Sequence, residues 1–422
     1  MLRTALAVCP LLALASILTA QERPAPATQP ASAGPVATQP ASTKPATRGG
    51  AGGWRGDGSG RYIDARPPLQ WDRETNVRWK TSLGSWSNAT PLLVGDRLFA
   101  CAEPGKLFCL DADTGKILWQ ADQTYPGANI DERQPRAHGA NGYTSPTPVS
   151  CGQFVYWVSG NGVASKYTLD GKRVWMRLVE RPDHQWGQSG SPVLAEGRLI
   201  FSVRQTFALD VQDGSTAWQA GFRHNWGSPI VFQVGGQNLV AMPSGEVLLP
   251  RTGKVVADKL GFLEYNAPIV QDGVLYYISN SATAWKLPER LADERLELQR
   301  VWERRLKGDR YYASPVYAEG LIYAVTRGQQ LSVIRADTGE DVYEERLGLK
   351  GDSSNQLYSS PTLAGGMVFV TSEPGETIAI APGKSFEVKG RSELALCRSC
   401  PIFVGNRVYL RASDAIWCFE SR

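Results

Sequence analysis

The sequence predicts an all-β fold, an eight-bladed β-propeller of four-stranded blades whose ring is closed by the N-terminal strand. Three observations carry this: a composition of turns and aromatics, an internal repeat, and one strand left over at the start. The 422 residues hold 43 Gly, 27 Pro, 13 Trp and 15 Tyr but only 4 Met, which suits many short strands and tight turns rather than long helices. Lys and Arg number 45 against 41 Asp and Glu, a net charge of +4. No basic block stands out, so there is no electrostatic reason to expect nucleic acid or an acidic membrane as partner.

The chain opens with Arg3, an apolar stretch from Ala5 to Leu18 and a small residue at Ala20. This pattern predicts a cleaved secretory signal peptide over residues 1–20, hence a periplasmic or secreted protein with no transmembrane span in the mature chain. Leu18 at the minus-three position leaves an uncleaved anchor as an alternative. Leu6-Ala7-Val8-Cys9 leaves a lipoprotein signal as another. Residues 21–53 repeat Ala-Thr-Gln-Pro-Ala-Ser at 27–32 and 37–42, with Val36 the only large aliphatic side chain. Such a segment cannot bury enough apolar surface to offset the entropy of ordering, so a disordered Pro/Ala/Thr-rich linker is expected there. Residues 54–422 form the expected propeller.

Within that span one unit recurs: Ser/Thr-Pro, apolar residues, Gly, an alternating strand, a turn, a second strand, Asp-x-x-Thr-Gly and an aromatic. The proline anchors are read at Pro91, Pro146, Pro192, Pro229, Pro268, Pro315, Pro361 and Pro401, giving eight units. Each holds four short period-2 runs, such as Val193–Leu194, Arg198–Val203, Thr206–Leu209 and Thr216–Trp218, which is the grammar of a propeller blade. In the turn, Asp111 accepts backbone N–H bonds and Gly115 supplies positive φ. Trp119, Trp175, Trp218, Trp302 and Tyr343 end their units and are expected to wedge between blades. The last unit stops at Ala415–Phe419 without a fourth strand, and Asn76–Thr81 is a spare strand carrying Trp79. Pairing the two removes an open edge.

His138, His184 and His224 precede Pro146, Pro192 and Pro229 by 8, 8 and 5 residues. They fall in equivalent loops at one mouth of the channel. With Asn141, Trp186 and Trp226 beside them, these loops are expected to form a face that holds an extended ligand or partner loop. A three-His metal site is the sharper alternative. It needs nitrogens converging near ~2 Å from one ion, and adjacent blades hold such loops apart, so no metal is assigned. Six cysteines remain after signal removal; Cys397 and Cys400 read as a structural disulfide or buried thiols, and Cys101 and Cys109 could face each other across a hairpin. The charged Leu287–Leu306 segment reads as a solvated hairpin, with a short inserted helix as the alternative. The common hydrolase and nucleotide motifs are absent.

The run Leu110-Asp111-Ala112-Asp113-Thr114-Gly115-Lys116-Ile117-Leu118-Trp119, with weaker copies at Leu169–Trp175, Leu209–Trp218, Pro250–Val255 and Ala336–Tyr343, resembles the tryptophan-docking repeat of PQQ-like (pyrroloquinoline-quinone-type) propellers. Two branches share that repeat. One holds quinoprotein alcohol and sugar dehydrogenases, which the resemblance associates with an adjacent cysteine pair, a calcium held by Glu and Asn, and an Asp base. No adjacent cysteine pair exists here and no stretch accepts those ligands. No catalytic residue and no cofactor is therefore assigned, and PQQ and calcium enter only under that alternative. The other branch is similar to the propeller subunit of the outer-membrane β-barrel assembly machinery. It implies a non-catalytic, monomeric scaffold with an envelope protein as partner. A polysaccharide- or peptide-binding propeller is the third reading. Trp54–Gly60 resembles the leader of exported bacterial PQQ-repeat proteins without assigned activity.

Overall fold

A computed structural model describes residues 52–351 and 356–421. The expected signal peptide and nearly all of the expected linker lie outside the described residues. Those residues form 33 strands and no helix, gathered into eight sheets. Blade 1 runs Leu92–Val94, Arg97–Ala102, Lys106–Asp111 and Ile117–Asp122 from the channel outwards. Blades 2 to 7 repeat this plan, their innermost strands being Val149–Ser150, Val193–Ala195, Ile230–Val234, Ile269–Gln271, Val316–Ala318 and Thr362–Ala364.

Blade 8 begins at Ile402–Val404, and its fourth strand is Val77–Ser82, antiparallel to Ala415–Glu420 with Trp79 opposite Cys418 and Thr81 opposite Ile416. The ring therefore closes with the N-terminal strand, as the sequence predicts. Four ion pairs fasten the joint: Arg78 and Arg407 each reach both Asp113 and Glu420, at 2.5–3.0 Å. One anchor needs correction. The inner strand of blade 2 starts at Val149, so the equivalent proline is Pro148, not Pro146. The Pro146 carbonyl accepts the Trp157 indole N–H at 3.0 Å instead.

The core lies between blades, because each sheet buries both faces against its neighbours. One cluster joins Val316, Tyr323 and Val333 of blade 6 to Leu363, Val368 and Ile378 of blade 7. At the periphery, an indole from one blade docks on the Gly turn of the next. The N–H groups of Trp79, Trp119, Trp175, Trp218 and Trp302 reach the carbonyls of Ala112, Leu169, Val211, Pro250 and Ala336 at 2.9–3.3 Å. Their rings lie against Gly115, Gly171, Gly214, Gly253 and Gly339, where an added Cβ would meet ring carbons at 2.6–2.9 Å. The Asp111 carboxylate tightens the first of these turns by accepting the N–H groups of Asp113 and Thr114.

Blade 4 has no docking indole on its outer strand, Val255–Ala257. The charged insertion takes over that place. It is a hairpin bridged at Ala292 and Arg295, not a helix, and it is not simply solvated: Leu296 is buried and gives its N–H to the Val256 carbonyl. Leu287, Leu291 and Leu298 pack on the same cluster.

The leader adds a piece with no counterpart in the repeat. Gly52 exchanges backbone bonds with Ser150 of blade 2, and Arg61–Tyr62 pairs in parallel with Leu363–Ala364 of blade 7. Gly52 and Gly53, expected in the linker, thus belong to the propeller. Between those two blades the leader crosses the channel, and fully buried Arg55 pins it by donating to the carbonyls of Pro315 and Pro361 at 3.0 and 2.6 Å. Further on, Trp71 fills the seam between blades 7 and 8, stacked on Phe369 and Phe419.

Candidate functional site

The residue before each anchor proline faces the channel, where the extended conformation forced on a pre-proline residue leaves its N–H without a strand partner. A belt of side chains receives these groups. Thr90 N–H donates to Thr147 Oγ1 (3.0 Å), Thr147 to Ser191 (3.0 Å) and Ser191 to Ser228 (2.9 Å). Ala267 donates to Ser314 (2.8 Å), Ser314 to Ser360 (2.9 Å), Ser360 to the Cys400 thiol (3.3 Å), and Cys400 back to Thr90 (3.1 Å). The belt has one gap, from Ser228 to Ala267, whose methyl side chain cannot accept.

Two residues earlier in each unit stands a second tier: Asn88, Ser145, Ser189, Trp226, Tyr265, Tyr312, Tyr358 and Arg398. Half of it is an aromatic arc. Trp226 stacks on Tyr265 (5.7 Å between centroids), Tyr265 meets Tyr312 edge to face (4.7 Å), and Tyr312 stacks on Tyr358 (5.2 Å). The Arg398 guanidinium caps Tyr358 at 4.7 Å and pairs with Glu373. Together the two tiers, Ala267 excepted, line a funnel of about 470 Å³, with Trp54 of the leader at its base and Trp186, Asn141, Arg310 and Gln356 on its walls.

The residues singled out from sequence divide between the wall and the rim. Asn141, Trp186 and Trp226 line the funnel; the three histidines stand behind them. His138 stacks on Trp186 at 3.6 Å, and the Asn141 amide donates to the Trp186 carbonyl. This backing holds Trp186 in place although it is 44% exposed. His184 and His224 lie 5.5 Å apart, both against Trp226. Partial burial first, and then the neighbouring His184, hold the His224 imidazole below its ordinary pKa. The three imidazoles thus form a pair and a separate one, and no group of three His, Cys, Asp or Glu side chains among the described residues is placed to hold a metal.

Glu103 fixes the loop that carries His138 and Asn141. Its carboxylate accepts the N–H groups of Tyr143 (2.8 Å) and Thr144 (2.7 Å), and burial pushes its pKa up despite them. Glu103, the belt, the three tyrosines and the two arginines were all missed in the sequence reading. A constant offset from each proline was the signal that could have found the belt and the arc.

All six cysteines outside the expected signal peptide are unbridged, five of them buried. Register puts Cys101 opposite Leu107 and Cys109 opposite Phe99, so those two do not face each other. Cys397 donates to the Arg411 carbonyl at 3.3 Å, while Cys400 serves the belt.

Calcium does not fit the funnel. Calcium takes six to eight oxygens, carboxylates among them, and the described lining residues offer no Asp or Glu. Cys400 is the only thiol among them and has no adjacent partner.

Eight blades, five of whose junctions are made by indole-on-glycine docking, define a PQQ-like repeat propeller. The family described as outer membrane protein assembly factor BamB matches residues 69–290 and 293–385, and the chain belongs to it. It is 24% identical over 327 residues to outer membrane protein assembly factor BamB of Yersinia pestis, covering 70% of this chain and 76% of that one. BamB from Moraxella catarrhalis superposes with a TM-score of 0.60 at 13% identity, covering 82% of this chain and 99% of that one. A europium-containing methanol dehydrogenase superposes with 0.63 at 12% identity, covering 88% and 98%. At such identities the two solved structures share the fold alone.

Proposed function

We propose that this protein is an exported, non-catalytic propeller of the cell envelope that holds a partner protein or ligand at the funnel mouth, with a place in outer-membrane protein assembly. Family membership and the Yersinia pestis relative support the envelope setting, and the signal-peptide pattern supports export. One observation carries the choice of working surface. Trp186 is exposed yet immobilised by His138 and Asn141 at the lip of an open, walled cavity. A rigid indole with a free face is the usual anchor of a binding surface. The partner is an envelope protein, met by a monomeric propeller.

Pull-down from envelope extract should recover a partner that Trp186→Ala with Trp226→Ala releases, while the melting temperature falls by no more than a few degrees. Capture unaffected by the double substitution would move the working surface elsewhere on the ring. Reconstitution with pyrroloquinoline quinone and calcium, assayed on primary alcohols and aldoses with an artificial electron acceptor, should give no turnover. Robust quinone-dependent dye reduction would overturn the non-catalytic reading.

A further inference from the structure

We propose that the funnel receives the end of an acidic glycan chain, with the carboxylate of a uronate-type sugar seated over the hydroxyl belt. This deepens the preceding reading and rests on its choice of the funnel as the working surface.

The belt is a ring of unused donors. Each hydroxyl accepts one backbone N–H and keeps a proton to give. Thr90, Thr147, Ser191, Ser228, Ser314 and Ser360 give theirs to no acceptor among the described residues. The charge on the described funnel lining has one sign. Arg310 and Arg398 line the funnel, no described lining residue is acidic, and only Arg398 is offset by an ion pair, with Glu373. Beneath lies Arg55, fully buried, with two guanidinium nitrogens unpartnered and only carbonyls as acceptors. A buried cation without an ion-pair partner is unfavourable, and an anion in the belt would compensate it.

The walls choose a sugar over a lipid or an apolar peptide. Among the described residues no Leu, Ile, Val, Met or Phe lines the funnel; its apolar surface is chiefly aromatic, interleaved with hydroxyls and amides. The Asn88 Oδ1 acceptor is buried there without a partner, ready for a hydroxyl proton. The leader across the base prevents a chain from passing through, so a chain end enters. At ~30 Å³ per displaced water, the space of about 470 Å³ holds roughly 16 waters, room for a short sugar chain end.

Calorimetric titration of the mature chain with digalacturonate, its methyl ester and the dipeptide Tyr-Asp tests this. The acid should bind about tenfold tighter than the ester, a preference that shrinks at high salt. Arg310→Gln, an exposed position, should cut acid affinity roughly three- to tenfold and leave ester affinity unchanged. Equal binding of acid and ester, dipeptide binding as tight as the acid, or no binding at millimolar sugar would each overturn the proposal. Absent sugar binding with Trp186-dependent partner capture intact would sink this inference alone. Sugar binding with no envelope partner captured would sink only the partner reading.

Discussion

Gly171 and Gly197 separate two reasons for a glycine in this fold. Both have positive φ, 95° and 73°, but a Cβ at Gly171 would lie 2.7 Å from the Trp119 ring whereas one at Gly197 meets nothing. Gly197→Ala should therefore cost only the left-handed backbone strain, about 1–2 kcal/mol. Gly171→Ala should cost about 1–3 kcal/mol more, because the indole of the preceding blade must move. Denaturant unfolding of the two variants measures the difference, and equal losses would mean that docking does not constrain this turn. A second residue-scale expectation concerns His224. Its folded pKa lies below the unfolded value of ~6.5, so the unfolded chain binds more protons there. Its contribution is neutral above that pH, and stability declines as pH falls from ~6.5 through the folded pKa. His184→Gln removes the second-ranked cause and should raise the His224 pKa in an NMR titration, without restoring the ordinary value while burial remains.

The belt is where an element-scale change has a calculable effect. Ala267→Ser supplies the missing acceptor opposite the Ser228 N–H and should stabilise by about 0.5–1.5 kcal/mol, a rise of a degree or two in thermal midpoint for a ring of this size. A lower midpoint would show that the gap has another use. The belt also explains what could be read beforehand. Strand runs, Gly turns and docking indoles announce themselves through period-2 alternation and fixed spacing, so the eight blades and the spare strand at Val77–Ser82 were legible. Pro146-Thr147-Pro148 offers two candidate anchors, and the strand start at Val149, together with the bond from Thr90 N–H to Thr147, decides between them. Tyr265, Tyr312 and Tyr358 share no residue type with the other members of their tier, Asn88, Ser145, Ser189, Trp226 and Arg398, so only a constant offset from the anchor prolines marks them. The Gly-rich leader has no periodicity at all; its place under the funnel depends on Arg55 meeting carbonyls of two distant blades.

At the scale of the whole molecule, closure and function share the N-terminal segment, and graded truncation can separate them. Removing residues 21–51 discards a stretch with one large aliphatic side chain and should leave the thermal midpoint nearly unchanged. Removing residues 21–70 also deletes the leader but keeps Trp71 and the closing strand. The ring should stay folded at a lower midpoint, since Arg55 and the pairing at Arg61–Tyr62 are lost, and any funnel ligand should bind more weakly through an open base. Removing residues 21–82 strips the outer strand of blade 8 and the Arg78 contacts to Asp113 and Glu420. Two strand edges and the Gly115 turn then lie bare, and aggregation or a loss of cooperative melting is expected. The same joint should be acid-sensitive. Asp113 is held below its ordinary pKa chiefly by its bond from Arg407, and Glu420 is held low by Arg407 and Arg78 although burial pushes it up. Their contribution is present above ~4 and is lost as pH falls through the folded pKa values, modestly, because Asp113 is half exposed. Size-exclusion chromatography and thermal melts of the three truncations decide the matter: a chain lacking residues 21–82 that melts like the one lacking 21–51 would mean that the ring does not depend on its N-terminal strand.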